Sequence, residues 1–183
     1  MKIPFGLADF TLGDGANAIK FDGKTNFQAE GGEISIEPIL EAAKIADFGD
    51  SDYDDLVNGY NGEVKIVGAE HSLKLMETAM AYADKIVNTA NPATVVGLTD
   101  SKIGTSMRAR GVSLRIHPRE MGSDNSLDIV IYKVASVGTY GRTFANEQGK
   151  NELTFKMYPR DGADASKGSN YYYVGPKDPN ATT

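Results

Sequence analysis

Period-two alternation recurs along most of this chain, whereas a helical period occurs once. Glu33-Ile34-Ser35-Ile36-Glu37 alternates strictly, as do Glu63-Val64-Lys65-Ile66-Val67 and the run from Leu153 to Tyr158. Successive side chains on a strand point to opposite faces, so each run sets an apolar row on a core and a polar row toward water. The twenty glycines fall mostly between these runs. A chain punctuated this way builds sheets.

Further runs fill in the pattern. Ala18 to Phe21 and Thr25 to Ala29 flank Asp22-Gly23-Lys24, which reads as a hairpin turn. Gly31-Gly32 suggests a bulge or bend, and Pro38 ends the strand that follows. Arg108 to Ile116 alternates, Leu127 to Val134 continues through Val137 toward Tyr140, and Asn170 to Val174 reads as a last strand. The one helix is predicted over 72–87, with Ser72 as N-cap and Leu73, Met76, Met80, Ala83 and Val87 on one face, stopping before Asn91-Pro92. Residues 38–60 break the alternation and read as a long loop, its first part (Ile39 to Ile45) a short helical turn. The loop carries Asp47, Asp50, Asp52, Asp54 and Asp55 beside Ile39, Leu40, Phe48, Tyr53, Leu56 and Val57, so it reads as a segment that orders against something. Seven to nine strands with one helix predict a mainly β chain, a β-sandwich or partly closed barrel with a flanking helix. We expect one domain over 1–175, a flexible N-terminal arm over about 1–15 and a frayed tail over 176–183.

Composition removes several chemistries. With no cysteine there are no disulfides, thiolate metal sites or cysteine nucleophile, and the only histidines are His71 and His117. A net charge of −6 disfavours wrapping a nucleic-acid duplex, whose affinity depends on neutralising phosphates. The opening Met-Lys-Ile-Pro-Phe has no long apolar run behind it, so neither a signal peptide nor a membrane segment is expected.

The remaining motifs are weak. Asp50, Asp52 and Asp54 match positions 1, 3 and 5 of a calcium loop, but Asp55 and Asn61 stand where Gly and Glu are needed. His117, in His117-Pro118-Arg119-Glu120, has the neighbour of a general base but no nucleophile motif, so a hydrolase ranks last. The glycine-rich stretches fit no nucleotide fingerprint and read as turns. Tyr171-Tyr172-Tyr173 suits either an edge strand or a stacking platform, and keeps open a carbohydrate- or receptor-binding β-sandwich. Charge is segregated: Asp47 to Asp55 holds five acids and no base, and Lys102 to Arg119 holds five bases and no acid. Such segregation suits either contact between copies, with Lys102, Arg108, Arg110 and Arg119 as partners of the acidic loop, or two ordinary solvated surfaces.

Several phrases carry a family likeness. Gly31-Gly32-Glu33-Ile34-Ser35-Ile36-Glu37-Pro38 leads into the loop, and Glu63 to Val67 is followed by the helix. Ile116-His117-Pro118-Arg119-Glu120-Met121-Gly122 runs on to Leu127-Asp128-Ile129. Phe144-Ala145-Asn146-Glu147-Gln148-Gly149 and Tyr158-Pro159-Arg160-Asp161-Gly162 come last. In the order of these elements the sequence resembles the major tail proteins, or tail tube proteins, of long-tailed bacteriophages, over most of residues 16–175. The resemblance implies a β-sandwich with a flanking helix and six copies in a ring, their sheets joined around a channel. Rings stack into a tube for DNA ejection, and the long loop reaches a neighbouring copy. It further implies assembly in the bacterial host cytoplasm, residence in the virion tail, a tape measure protein and a tail terminator as partners, and no catalysis or cofactor. It places lumen strands on either side of the loop, so Glu33, Ser35, Glu37, Glu63 and Lys65 are the expected channel-facing residues.

Overall fold

Apolar rows become strands wherever a core is there to receive them. A computed structural model of the chain describes residues 6–142, 144, 146 and 149–181. The strands are β1 (Ala8–Leu12), β2 (Ile19–Phe21), β3 (Gln28–Lys44), β4 (Asp52–Gly68), β5 (Ala83–Val87), β6 (Val95–Asp100), β7 (Val112–Pro118), β8 (Ile129–Ser136), β9 (Asn151–Tyr158) and β10 (Tyr172–Val174), with one helix, α1 (Leu73–Ala79), between β4 and β5. In β9 burial alternates residue by residue: Leu153, Phe155 and Met157 lie inside, Glu152 and Lys156 outside. The fold is mainly β, as expected.

The large sheet runs in the order β2-β1-β7-β8-β9-β4-β3, with antiparallel neighbours throughout. β10 pairs with the first residues of β8, and β5 and β6 form a separate two-stranded sheet. The sheet rolls over one core in the manner of a β-sandwich and does not close into a barrel. Its two ends are bridged by the Gln28 side-chain amide, which donates to the carbonyls of Ala8 and Phe21 at 2.8 and 2.9 Å. The Phe10 ring lies against the backbone of Gly32, where a Cβ would sit 2.5 Å from Phe10 Cζ and 2.7 Å from the Lys65 carbonyl oxygen. The core between the layers holds Phe10, Phe21, Ile66, Leu114, Ile131, Val134, Leu153 and Phe155, with Leu75 and Ala79 of α1 sealing one side. Ser136 Oγ donates to the Ala79 carbonyl at 2.6 Å and fixes the end of that helix.

The bulge expected at Gly31-Gly32 is present as a register shift between Gln28 and Gly31, with Gly31 at φ +89. Other expectations are corrected. Residues 38–60 are not a loop: β3 and β4 pair from Gln28 and Gly68 to Lys44 and Asp52, with register shifts at Gln28/Gly31, Ile39/Leu40 and Ala43/Lys44, and a 3-10 turn (Ala46–Phe48) lies at the tip. Pro38 sits inside β3 opposite Tyr60, tolerated because β3 is the edge strand of the sheet. The helix is seven residues long instead of spanning 72–87. Ser72 does cap it, its Oγ accepting from Leu75 N–H at 3.1 Å, but Leu75 and Ala79 form the buried face, Leu73 is exposed, and residues 83–87 are strand. Ala83 and Val87 share a face in a helix and in a strand alike, so their spacing did not decide between the two.

The turn at Asp22-Gly23 exists, with Asp22 accepting from the Lys24 and Thr25 N–H groups. It joins no hairpin, since β2 pairs with β1. The expected N-terminal arm is a strand from Ala8, with Phe10 and Leu12 buried; residues 1–5 lie outside the described residues. The C-terminal segment is tied down as far as Asn180, whose amide donates to Tyr132 Oη and to the Ser169 carbonyl, while residues 182–183 of the expected tail lie outside the described residues, as do residues 143, 145, 147 and 148.

The close approach at Gly32 generates a prediction. Gly32→Ala forces Phe10 or the β4 backbone to move and costs about 1–3 kcal/mol in urea unfolding, the usual range for overpacking. Gly59→Ala, where a Cβ meets only Ile39 Cδ1 at 3.5 Å, changes stability by less than about 0.5 kcal/mol.

Candidate functional site: a charged sheet face and an unsupported hairpin

The five expected channel residues lie on one face. Glu33 stands opposite Lys65, Ser35 opposite Glu63 and Glu37 opposite Asn61, and the next strand sets Lys156 opposite Glu63. Together with Gly62 they line a shallow groove of about 560 Å³ on the side of the sheet away from Val64, Ile66 and Phe155. The alternation that buries those three residues is what turns the charged ones outward. Lys65 Nζ is 3.2 Å from Glu63 Oε1, and the hydrogen bond to Glu63, then the charges of Glu63 and Glu33, hold the Lys65 ammonium above its ordinary 10.5. Lys156 was not among the expected residues. With it the groove lining carries three carboxylates and two ammonium groups, and Glu152, in the same outward row of β9, adds its charge near Lys65. Lys156 was readable as the outward partner of Phe155 and Met157, but only the β4–β9 register shows that it joins this face.

Beyond Glu37 and Asn61 the β3–β4 hairpin leaves the body of the protein. Nearly every side chain from residue 38 to residue 58 is exposed on this two-stranded ribbon, including Ile39, Leu40, Phe48, Tyr53, Leu56 and Val57 at 44% to 63%. Leu40 opposes Val57 on one face, while Ile39 and Leu56 fall on the other. Phe48 and Tyr53 stack on each other at the tip, with ring centroids 5.5 Å apart. A lone two-stranded ribbon is marginal in water, and exposed apolar groups of this kind mark an interaction surface.

Asp47 and Asp50 sit at the tip and Asp52, Asp54 and Asp55 on β4, all exposed; Lys44 pairs with Asp52 at 3.6 Å. Among the described residues no group of three or more histidine or carboxylate side chains is placed to hold a metal ion. Three of the four expected basic partners are engaged within their own chain. Arg108 donates to the carbonyls of Pro159 and Arg160 and pairs with Asp161. Arg110 donates to the carbonyls of Ala81 and Ala83 and pairs with Asp84, and Arg119 pairs with Asp9. Lys102 is exposed, with no side-chain partner among the described residues. The basic run therefore serves mainly to pin connecting segments to the sheet.

His117 and the tyrosines are likewise absorbed by structure. Both ring nitrogens of His117 face acceptors, Asp128 Oδ1 and the Gly122 carbonyl. Its expected carboxylate neighbour was Glu120, and sequence gave no sign of Asp128, eleven residues away. Tyr171 and Tyr172 pack on Tyr60 with centroids 5.5 and 6.1 Å apart, and Tyr173 packs on Tyr132. Burial, then the hydrogen bond to Asp178, pushes the Tyr132 hydroxyl up to about 12. These half-buried rings pack on one another and on Tyr60 and Tyr132. No protein-family model and no curated protein sequence matches this chain.

The charged face yields a prediction. Glu63→Gln removes the first cause of the Lys65 displacement, so the Lys65 titration moves down toward 10.5, read from its side-chain carbon shifts by NMR; an unchanged titration contradicts the pairing.

Proposed function

We propose that the chain is the structural subunit of a phage tail tube, six copies closing into a ring around a channel and rings stacking into a conduit for DNA. The observation that carries this reading is the β3–β4 arm. Its distal part, seven residues on β3 beyond Glu37, reaches about 20 Å at the usual strand rise and presents apolar side chains on both faces. A surface of that kind is stable when a second molecule covers it, and a repeating assembly supplies an identical partner to every copy. The free outer edge of β3 supports the same reading, because seventeen residues of unpaired edge invite pairing with another chain and ring closure removes the edge.

In this reading the groove face of β3 and β4 lines the channel, and Glu33, Ser35, Glu37, Glu63, Lys65 and Lys156 repeat six times around it. The excess of carboxylates over ammonium groups gives a weakly acidic wall. Phosphates passing it feel mild repulsion, screened within about 8 Å at physiological salt, and find no cationic patch on which to stall. The acidic tip, Asp47 to Asp55, meets the next copy. Exposed ion pairs contribute only about 0–1 kcal/mol each, so apolar burial supplies the adhesion and charge sets the register.

Two outcomes follow. Leu40→Asp with Val57→Lys leaves a folded monomer, since both sites are solvent-exposed and the new charges are of opposite sign across the strand pair. It abolishes rings and tubes in concentrated protein viewed by negative-stain microscopy, whereas tubes of normal length and yield from this variant would overturn the arm's role. Replacing Glu33, Glu37 and Glu63 by lysine permits tubes but slows DNA ejection from particles that carry them, and a tube map with these side chains outside the channel would refute the assignment.

A further inference from the structure

A histidine flanked by two acceptors has only one protonation state that satisfies both. His117 Nδ1 lies 2.5 Å from Asp128 Oδ1, and Nε2 lies 2.9 Å from the Gly122 carbonyl oxygen. Neutral imidazole carries one N–H and one lone pair, so it donates to one of these oxygens and turns the lone pair on the other. Imidazolium donates to both. Asp128 is 1% exposed, and its second oxygen accepts from Arg115 Nε at 2.6 Å, so one buried carboxylate is shared by two cationic side chains.

The surroundings fix what depends on that proton. On β7 the neighbouring charge is Arg115; β1 sets Asp9 opposite His117 in register; β10 brings Tyr173. The 3-10 turn Arg119–Met121 carries Arg119 and Glu120, and the segment that follows carries Asp124 and Asp128. Arg119 is the hinge of this joint: its N–H donates to the Leu7 carbonyl at 3.1 Å, its Nε donates to Asp9 Oδ1 at 2.5 Å, and its own carbonyl accepts from Gly122 N–H at 3.2 Å. The Gly122 turn thereby carries the start of β1.

We propose that His117 is a proton-operated latch: as imidazolium it ties the Gly122 turn to the buried Asp128, and loss of its proton releases that turn and loosens the attachment of β1. The latch rests on this cluster alone and stands apart from the assembly reading. The hydrogen bond to Asp128, and after it the Gly122 carbonyl, outweighs burial and the Arg115 charge and holds His117 above the ordinary 6.5. Its contribution is fully present below 6.5 and is lost as pH rises through the higher folded value.

The test is a pH titration of the full chain by imidazole nitrogen NMR, paired with amide hydrogen exchange. His117 is expected to show two protonated nitrogens below a midpoint that exceeds 6.5. Across that midpoint the amides of Arg119, Gly122 and Asp124 lose protection relative to that of Phe155 in β9. In His117→Gln these amides are unprotected throughout and their protection no longer varies with pH over that range. A midpoint at or below 6.5, a neutral tautomer in the acidic range, or turn protection that persists through the titration overturns the latch. The wild-type titration alone decides should the variant fail to fold.

Discussion

The contact between the Phe10 ring and the bare backbone at Gly32 sets how far the sheet rolls. With no side chain at position 32 the first layer comes down onto the last, and the Gln28 amide then spans from β3 to β1 and β2. Phe21, Ile66 and Leu153 lose all contact with water between the two layers. The same closure fixes where the body of the protein ends. Past Pro38 and Tyr60, the latter still packed on Tyr171 and Tyr172, β3 and β4 continue as an exposed two-stranded ribbon. The protruding arm is thus a geometric outcome of a short sandwich combined with two seventeen-residue strands.

Charge is divided between two jobs. Arg108, Arg110, Arg115 and Arg119 hold connecting segments to the sheet through carbonyl oxygens and single carboxylates. Arginine suits this work because its planar fork bonds several oxygens at once and stays charged. The arm keeps its aspartates pointed at water, and the groove mixes both signs on one face. A chain with an acidic balance therefore presents most of its surplus on the arm, while many of its cations pair with carboxylates or carbonyls of the body.

Legibility followed burial. β9 and the paired halves of β3 and β4 were readable because one face of each is buried, which forces the alternation that sequence displays. The distal arm was misread for the converse reason: with both faces exposed nothing imposes a period, so Ile39 to Ile45 and Tyr53 to Val57 carry strand geometry without strand patterning. The β5–β6 sheet was missed because its outward Ile86, Val87 and Val96 are also unsupported by a core. The groove was largely legible, since Glu33, Ser35, Glu37, Glu63 and Lys65 are simply the outward members of buried rows. Lys156 and Asp128 were not, because register between distant strands decides their neighbours.

The strand order also dictates a sequence of events during synthesis. β1 pairs early with β2 but meets its inner neighbour only when β7 arrives roughly a hundred residues later, and β4 waits about as long for β9. At ordinary translation speed that interval is roughly 5–20 s. The β3–β4 hairpin, by contrast, joins neighbours in sequence and can zip in microseconds. The arm can thus begin to pair before the core that anchors it, as a marginal ribbon with apolar side chains exposed. Five aspartates on that ribbon supply the like charge that opposes edge-to-edge pairing of two such ribbons.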